Sequence, residues 1–282
     1  MKKKIATLLC VTMMMGLALT GCGSQVTSNQ GTGSQETNSQ EAGGQETDSK
    51  NMVYAVEAGS AGEEAAEDQG FSYNSVASQA DALMEVASGT SDAAIIDLLM
   101  AGAMIGEGTS YPNLTYTDKL TSEEYGVGCR KGSDLASYIN AVFAETYADG
   151  SLQELAEKYG VQEALLEQAA CEYEPAEDSD VAYIQGKGTL IVGITDFAPM
   201  DYKDGSDEWI GFDAEMARKT AEKLGVEVQF VEIDWDNKIM ELDSKNIDVV
   251  WNGMTLTDET RGAMECTNAY CMNAQVVVVP AK

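Results

Sequence analysis

The chain has 282 residues, and its apolar content of 44% fits a globular protein with one large or two modest domains. With 17 basic and 47 acidic side chains, the formal charge is -30, which would repel a phosphate backbone and argues against nucleic acid as a partner. The sequence contains no histidine, which excludes Ser-His-Asp and Cys-His catalysis and imidazole metal sites, and we predict neither a metal nor a cofactor.

The amino-terminal residues carry an export signal. Lys2–Lys4 precede an apolar stretch from Ile5 to Leu19, which is shorter than the roughly 20 residues that a membrane-spanning helix needs. Small residues and then Cys22 follow, and together these features resemble a bacterial lipoprotein signal. We therefore predict a signal peptide over residues 1–21 and a lipid on Cys22, with an ordinary secretory signal and an incidental cysteine as the alternative.

Residues 22–51 form the predicted tether. They are mainly Gly, Ser, Gln, Glu, Thr and Asn, and such a segment cannot bury enough surface to offset the entropy of ordering it. A flexible spacer of this kind would let a folded head stand away from a surface. The sequence therefore predicts an extracytoplasmic protein that a lipid anchors to the cell membrane, at the cell surface or in the periplasm.

Strand and helix patterns alternate from residue 52 onwards. Short apolar runs predict strands, and apolar residues at helical spacing predict helices. Before an acidic segment, Glu172–Asp180, the predicted strands are Val53–Val56, Phe71–Tyr73, Ala93–Ile96 and Tyr125–Arg130, and the predicted helices are Ser60–Ala66, Ser78–Val86, Leu98–Ile105, Leu135–Phe143 and the segment from Ser151 to Gly160. After it, the predicted strands are Leu190–Ile194, Val226–Val231, Ile247–Trp251 and Gln275–Val279, and the predicted helices are Phe212–Leu224, Asp236–Leu242 and Thr257–Met264.

This alternation predicts an α/β fold with largely parallel sheets. In open sheets of that kind, ligands bind beyond the carboxyl ends of the strands. Ser151 stands three residues before Glu154, and we predict a capping box at the start of that helix.

Four cysteines lie in this region: Cys129, Cys171, Cys266 and Cys271. Their spacing does not fit a zinc site. Export permits disulfide bonds, but an even number of cysteines in a domain of this size supports them only weakly, and we favour isolated buried thiols.

Six segments of the sequence resemble the bacterial extracellular solute-binding proteins of family 3, the polar amino-acid uptake type. The segments are Gly188–Met200 with Trp209–Asp213, Ile247–Thr257, Tyr270 with Gln275–Val279, Tyr125–Ser133 with Asp149–Leu152, Asp92–Asp97, and Ala55–Glu64. The resemblance covers nearly all of residues 52–282. It implies a two-lobed periplasmic-binding-protein-like fold of type II, in which each lobe is a mainly parallel sheet flanked by helices.

The order of these segments differs from the order in the family. Each segment occurs once, but the chain begins with the family's second lobe. We therefore predict a circular permutation with residues 52–124 as the second lobe and residues 125–282 as the first, and a misassembled or truncated tandem gene is the alternative. One covalent connection, around Leu120–Arg130, would then join the lobes, and the other would be a gap between Lys282 and Asn51.

The resemblance also implies a function. Members of this family are not enzymes but extracytoplasmic components of ABC importers, expected as monomers, that capture a free amino acid between two lobes and deliver it to a membrane permease. A sensor that binds a ligand without transport is one alternative. A dehydratase on the same fold is another, for which only carboxylates such as Glu57 or Asp97 could act as acid or base in a chain without histidine.

The resemblance assigns the backbone contacts of an α-amino acid. The amides of Ser60, Ala61 and Gly62 would bind the ligand carboxylate at the start of a helix, and Asp97 would bind the ammonium group. The loop Asn252-Gly253-Met254-Thr255 would contact both groups, mainly through its backbone and the Thr255 hydroxyl. The alternatives are a tight turn at Ser60 and a helix cap at Asp97.

The remaining implied contacts concern the side chain and an arginine. Phe197 and Trp235 match aromatic walls, although aromatic residues more often lie in a core. Asp196 matches a position that meets a distal cation, or is a turn residue. The family usually has an arginine at the position of Thr260, whereas here Arg261 follows one residue later. Either Arg261 binds the carboxylate after a one-residue shift, or it points elsewhere and the amides bind the carboxylate.

Overall fold

The described part of the chain, residues 51–177 and 179–282 of this computed structural model, is built around two sheets. Sheet A contains β1 (Val53–Glu57), β2 (Ser72–Val76), β3 (Ala93–Asp97), β4 (Leu114–Lys119) and β13 (Gln275–Pro280), in the order β2-β1-β3-β13-β4. Sheet B contains β5 (Glu123–Cys129), β6 (Thr189–Ile194), β9 (Glu227–Glu232), β10 (Val249–Thr255) and β11 (Glu265–Cys266), in the order β11-β5-β10-β6-β9. Strand β12 (Cys271–Asn273) also pairs with β5, and β7 (Tyr202–Lys203) pairs with β8 (Trp209–Ile210) as a separate hairpin.

Helices flank both sheets. They are α1 (Ala61–Gln69), α2 (Gln79–Ser88), α3 (Leu98–Met104), α4 (Leu135–Ala148), α5 (Ser151–Tyr159), α6 (Asp180–Lys187), α7 (Phe212–Leu224), α8 (Lys238–Asp243) and α9 (Asp258–Ala263), with a 3-10 turn at Trp235–Asn237. None of the helices in residues 51–177 and 179–282 has the length and apolar content to span a bilayer.

Burial explains the strand sequences. Strands β1 and β3 are almost entirely buried, because α1 and α2 pack against them, and both are continuous apolar runs that end in an acid. Parallel pairing joins β1 to β2 and β3, and it also joins β6 to β9 and β10. The predicted α/β alternation is therefore confirmed. The sheets are mixed rather than largely parallel, because β13 pairs antiparallel with β3 and β4, and β5 pairs antiparallel with β10, β11 and β12.

Several local features differ from the sequence prediction, and helix α6 and the short strands β7, β8, β11 and β12 were not predicted. Strand β4 was not predicted, because its polar and partly exposed sequence at a sheet edge lacks an apolar run. Strand β2 begins and ends later than Phe71–Tyr73. The capping box at Ser151 is wrong: Ser151 is the first helical residue, Gly150 is the cap with φ +85°, and the Asp149 carboxylate accepts the Ser151 amide at 2.9 Å.

Two segments cross between the sheets, not one. Residues 120–122 lead from β4 in sheet A to β5 in sheet B, and Ala274 leads from β12 back to β13. Strand β13 pairs antiparallel with β3 and β4, so residues 275–280 belong to the sheet of residues 52–124 rather than to the sheet of residues 125–274. The expected gap between Lys282 and Asn51 therefore falls inside sheet A and not between the sheets.

Helix α6, which follows the acidic segment, is joined to sheet B by hydrogen bonds and ion pairs around the buried carboxylate of Asp248. The Asp248 carboxylate is fully buried and accepts hydrogen bonds from Lys187 Nζ at 2.6 Å, Ile191 N at 2.8 Å and Arg130 Nη2 at 3.4 Å. Arg130 Nε also donates to Asp180 at 3.1 Å. Several donors thus compensate the buried carboxylate, and they join α6 to β5, β6 and the start of β10.

The predicted signal peptide, residues 1–21, the lipidated Cys22 and all of the tether except Asn51 lie outside the described residues. The four cysteines of the described region are free thiols. Cys129 and Cys271 are buried, Cys266 is partly buried and Cys171 is exposed, so burial applies to some of these thiols and not to all.

Candidate functional site

A cavity of about 330 Å³ lies between the carboxyl ends of the parallel strands of sheets A and B. This volume is within the roughly 300–1,000 Å³ that small-molecule sites occupy. Strand β1 ends at Glu57 and β3 at Asp97 on one side, and the segments after β6 and at the end of β10 line the other. The position is the one that the parallel topology predicts for a ligand.

Most of the predicted site residues surround this cavity. Its lining includes Ser60, Ala61, Asp97, Phe197, Trp235, Asn252, Gly253, Met254 and Thr255. Three predicted residues, Gly62, Asp196 and Arg261, are absent from that lining. Gly62 instead packs against sheet A, where an added Cβ would lie 3.0 Å from the Ile95 carbonyl oxygen and 3.1 Å from Gln275 Oε1.

Arg261 points away from the cavity. Helix α9 begins at Asp258 with Thr257 as its cap, which accepts the Thr260 amide at 3.2 Å. Thr260 is buried and lines the cavity, whereas Arg261 is exposed and donates to Glu124 and to the Leu256 carbonyl at 3.4 Å each. Adjacent helical residues differ by about 100° in direction, so a one-residue offset turns the guanidinium outward.

Asp196 is exposed and lies near Glu232 and Lys203 rather than on the cavity wall. Partial desolvation of the carboxyl group and the charge of Glu232 raise its pKa. A ligand in the cavity as described would therefore not touch its carboxylate.

The Asp97 carboxylate is buried and accepts hydrogen bonds from both sheets. Oδ1 accepts from Tyr125 Oη at 2.6 Å, from Gln275 Nε2 at 3.1 Å and from Asn273 Nδ2, and Oδ2 accepts from Gln79 Nε2. Burial and the nearby charge of Glu123 raise the pKa of Asp97 to about 7. Asp97 stands at the start of α3, but its side chain makes no capping hydrogen bond.

The predicted loop Asn252-Gly253-Met254-Thr255 is instead the second half of β10, where the pairing with β5 shifts register between Val250 and Met254, and its own side chains hold it. Asn252 Oδ1 accepts from Thr195 N at 2.9 Å, and Asn252 Nδ2 donates to Asp201 at 2.8 Å. Gly253 has φ +54°, and an added Cβ would lie 2.3 Å from the Phe197 ring. These contacts fix the backbone of this part of β10 against the Phe197 ring. The side-chain amide of Asn252 is therefore already hydrogen-bonded within the protein.

Two charged residues that the sequence did not assign to ligand binding also line the cavity. Glu57 is 4% exposed, and its Oε1 has no hydrogen-bond partner among the described residues. Burial, followed by the charge of Asp97, raises the pKa of Glu57 to about 8. Lys238 is 7% exposed and donates to the carbonyl oxygens of Gly59 at 2.8 Å and Trp235 at 3.3 Å, and burial lowers its pKa. Two sequence features could have identified these residues. Glu57 is an acid at the end of an apolar strand, and Lys238 lies four residues before the buried Leu242 on one helix.

The lining as a whole is acidic. Its carboxyl side chains are Glu57, Glu63, Glu64, Glu67, Asp97 and Glu259. Lys238 is the one basic residue among the lining residues of this cavity. A cleft that one sign of charge lines concentrates the opposite sign, so the site favours a ligand with positive charge.

The rim of the cavity closes at Gly59. This residue has φ +68°, and an added Cβ would lie 2.8 Å from the Cα of Asp236 on the opposite rim. The hydrogen bond from Lys238 to the Gly59 carbonyl crosses at the same place. The two rims therefore touch where sheet A turns into α1 and where β9 leads to α8.

Comparison with known proteins agrees with this arrangement. Residues 190–282 match the model of the bacterial extracellular solute-binding proteins, family 3. This match covers 93 of the 282 residues. It is 36% identical over 94 residues to the arginine-binding extracellular protein ArtP of Bacillus subtilis (strain 168), covering 33% of this chain and 36% of the relative.

Two further comparisons have similar extent. The L-cystine-binding protein TcyJ of Escherichia coli (strain K12) is 31% identical over 99 residues, which are 35% of this chain and 37% of TcyJ. A solved structure of an ancestral cationic amino acid solute binding protein (AncCDT-1) is 39% identical over 30% of this chain and 37% of that one, with a TM-score of 0.29. The chain thus spans little more than a third of the length of the curated relatives that it matches.

Gly59→Ala should open the rim of the cavity, because the new methyl group meets the backbone of Asp236 at 2.8 Å. Gly70→Ala is the matched control: φ is +67° there and nothing lies within 4 Å of an added Cβ. Both variants carry the strain of a left-handed alanine, of roughly 1–2 kcal/mol. In small-angle scattering, we expect a larger radius of gyration for Gly59→Ala alone, and equal radii for the two variants would contradict the rim contact.

Ligand-free stability should depend on pH through Glu57. The ordinary pKa of a glutamate is 4.5, and the pKa of Glu57 in the folded protein is raised to about 8. Between pH 4.5 and about pH 8, the folded protein therefore keeps a proton that the unfolded chain has lost. The free energy of unfolding therefore falls as pH rises from about 4.5 to about 8, with a slope of up to about 1.4 kcal/mol per pH unit from this group.

Glu57→Gln removes this contribution, and the variant should lose less stability than the wild-type protein across that window. Urea denaturation at pH 5, 6, 7 and 8 measures the difference. Parallel curves for the two proteins would show that Glu57 is not the group responsible.

Proposed function

We propose that this protein is the extracytoplasmic amino-acid-binding component of an ABC importer. The observation that carries the proposal is the cavity between sheets A and B, which combines buried carboxyl groups, a helix amino terminus and aromatic walls at one place. The family match of residues 190–282 supports the same reading. In this proposal, two lobes built on the two sheets close over a free L-amino acid and deliver it to a membrane permease.

An α-amino acid would bind in a defined direction. Its carboxylate faces the start of α1, where the Ser60 side chain already accepts the Glu63 amide and the Ala61 amide on the cavity lining is left for a ligand. Thr255 and the residues before it in β10 approach from sheet B. The ammonium group faces the wall that contains Glu57 and Asp97.

The ligand side chain would lie between Phe197 and Trp235. The lining of the cavity is acidic, with Glu63, Glu64 and Glu259 on its wall, which supports a cationic side chain such as that of arginine or lysine. The relative ArtP is named as an arginine-binding protein, which agrees with this charge. In this proposal the acidic wall takes the distal contact predicted for Asp196, and the amides of α1 replace Arg261.

The sequence at the amino terminus supports the location. Lys2–Lys4, the apolar stretch Ile5–Leu19 and Cys22 together match a lipoprotein signal, and the residues after Cys22 would serve as a flexible tether. We therefore propose a monomeric head that a lipid holds outside the cell membrane, within reach of its permease.

We also propose that the fold is circularly permuted. Each sheet receives one antiparallel strand through a crossing segment, β5 in sheet B and β13 in sheet A. Val53 and Pro280 lie at the same end of sheet A with β3 between them, because Tyr54 pairs with Ala93 and Val278 with Ala94. Two strand spacings, about 10 Å, separate the strand ends, a distance that a short linker can bridge.

Rejoining the strands tests the permutation. A variant with a short Gly-Ser linker between Pro280 and Val53, opened instead at Glu174, restores the order of the family. We expect it to bind the same amino acids as the wild-type protein with affinity within a few-fold, measured by isothermal titration calorimetry. A folded variant with a different selectivity would contradict the permutation.

A thermal-shift screen against the twenty proteinogenic amino acids tests the function. We expect stabilisation by arginine or lysine, of about 2.7 kcal/mol at a ligand concentration 100 times the dissociation constant. Mass spectrometry of the recovered ligand should find it unchanged, which separates binding from turnover. The absence of a shift with every amino acid would contradict the proposal.

A further inference from the structure

We propose that Glu123 is a positioning residue of the amino-acid site. Its side chain lies outside the cavity lining, but it holds the Thr255 hydroxyl and the two side-chain amides that donate to Asp97. The inference rests on the proposed amino-acid-binding function and names a residue that acts on the ligand through Asp97 and Thr255.

The Glu123 carboxylate accepts hydrogen bonds from both segments that cross between the sheets. Oε1 accepts the Thr121 hydroxyl at 2.6 Å, and Oε2 accepts Asn273 Nδ2 at 3.2 Å and Gln275 Nε2 at 3.0 Å. Thr121 lies in the first crossing segment, and Asn273 and Gln275 flank Ala274 in the second. Thr121 Oγ1 also accepts the Gln275 backbone amide at 2.8 Å, so the two crossings are joined to each other at Glu123.

The same two side-chain amides orient Asp97. Asn273 Nδ2 and Gln275 Nε2 donate to Asp97 Oδ1 as well as to Glu123 Oε2. Because a side-chain amide has two N–H donors, each amide gives one hydrogen to each carboxylate, and without Glu123 one hydrogen of each buried amide would lack its partner. Among the described residues, Asp97 Oδ2 accepts from Gln79 alone, which leaves a position for the ammonium group of a ligand.

Glu123 also contacts the end of β10. The Thr255 hydroxyl donates to Glu123 Oε2 at 3.1 Å, and Thr255 lines the cavity. This hydrogen bond turns the hydroxyl hydrogen toward Glu123 and leaves the lone pairs of Thr255 Oγ1 for a donor from the ligand. One carboxylate outside the cavity thus sets the direction of one ligand contact from each sheet, Asp97 in sheet A and Thr255 in sheet B.

The charge of Glu123 acts on Asp97 as well. Burial, followed by the charge of Glu123, raises the pKa of Asp97 to about 7. Among the described residues, the other titratable groups that face Asp97 are Glu57 at the end of β1 and Tyr125 on β5, and the groups from α2, β12 and β13 are neutral amides. Because a ligand ammonium group needs the ionised form of Asp97, Glu123 sets the pH below which this contact weakens.

The test measures the binding of L-arginine to the full protein by isothermal titration calorimetry between pH 5 and pH 8. If the thermal-shift screen selects another amino acid, that amino acid is the probe. Wild-type affinity should fall as the pH drops from 8 to 5, because Asp97 takes up a proton below about pH 7. In Glu123→Gln the midpoint of this fall should lie at least about 0.5 pH unit lower, so the loss of affinity over this range should be at least about threefold smaller.

Glu123→Ala and Glu123→Gln separate positioning from charge. Both variants lose the charge, but the side-chain oxygen of glutamine can still accept from Thr255, Asn273 and Gln275. At pH 8, we expect Glu123→Ala to bind L-arginine at least about tenfold more weakly than the wild-type protein, and Glu123→Gln to bind within about threefold of it. If Glu123→Ala does not fold, the pH profile of Glu123→Gln decides.

Glu124→Gln is the matched control. It removes an equal charge from the next residue, which is exposed and pairs with Arg261 at 3.4 Å. Its affinity at pH 8 and the midpoint of its pH profile should both match the wild-type values.

Two results would overturn the inference while leaving the proposed function in place. One is Glu123→Ala that binds L-arginine within threefold of the wild-type protein at pH 8. The other is Glu123→Gln with the same midpoint as the wild-type protein. A wild-type protein that binds no amino acid would instead overturn the proposed function, and this inference with it.

Discussion

The buried carboxylate of Asp97 is the interaction on which the arrangement of the two sheets depends. Its donors come from a helix on sheet A (Gln79), from strands of sheet B (Tyr125 and Asn273) and from the strand that returns to sheet A (Gln275). A buried carboxylate is stable only when such donors compensate it, and their loss would leave several polar groups unpaired. Because β12 and β13 flank one crossing segment, the network holds that crossing at the floor of the cavity.

The position of this network determines what the cavity can do. Its four donors join the two sheets at the edge where Glu57 and the start of α1 also line the cavity. Lys238 donates to the Gly59 carbonyl where the two rims touch. Glu57 and Asp97 lie at the ends of adjacent parallel strands, so a single sheet edge carries both the joining of the sheets and the wall of the cavity.

The sequence by itself determined the local elements and the place of the site. Apolar runs such as Ala93–Ile96 lie in buried strands, and the alternation of strands with helices led to parallel pairing and to a cavity at the strand ends. These features follow from short-range periodicity, which one sequence records directly. Phe197 and Trp235, which the resemblance to family 3 implied as aromatic walls, line this cavity.

Only the tertiary structure decided which polar groups face the cavity. Thr260 points inward and Arg261 outward because the helix begins at Asp258, and that offset is not visible in composition or spacing. Strand β13 reads as an apolar run that either sheet could accept, and its hydrogen bonds to β3 and β4 assign it to sheet A. Glu57 and Asp97 each end an apolar strand, but their surroundings differ because four distant donors converge on Asp97 and none donates to Glu57 Oε1 among the described residues. Periodicity fixes which residues are buried, whereas hydrogen-bond partners far apart in the chain fix which buried charges remain free for a ligand.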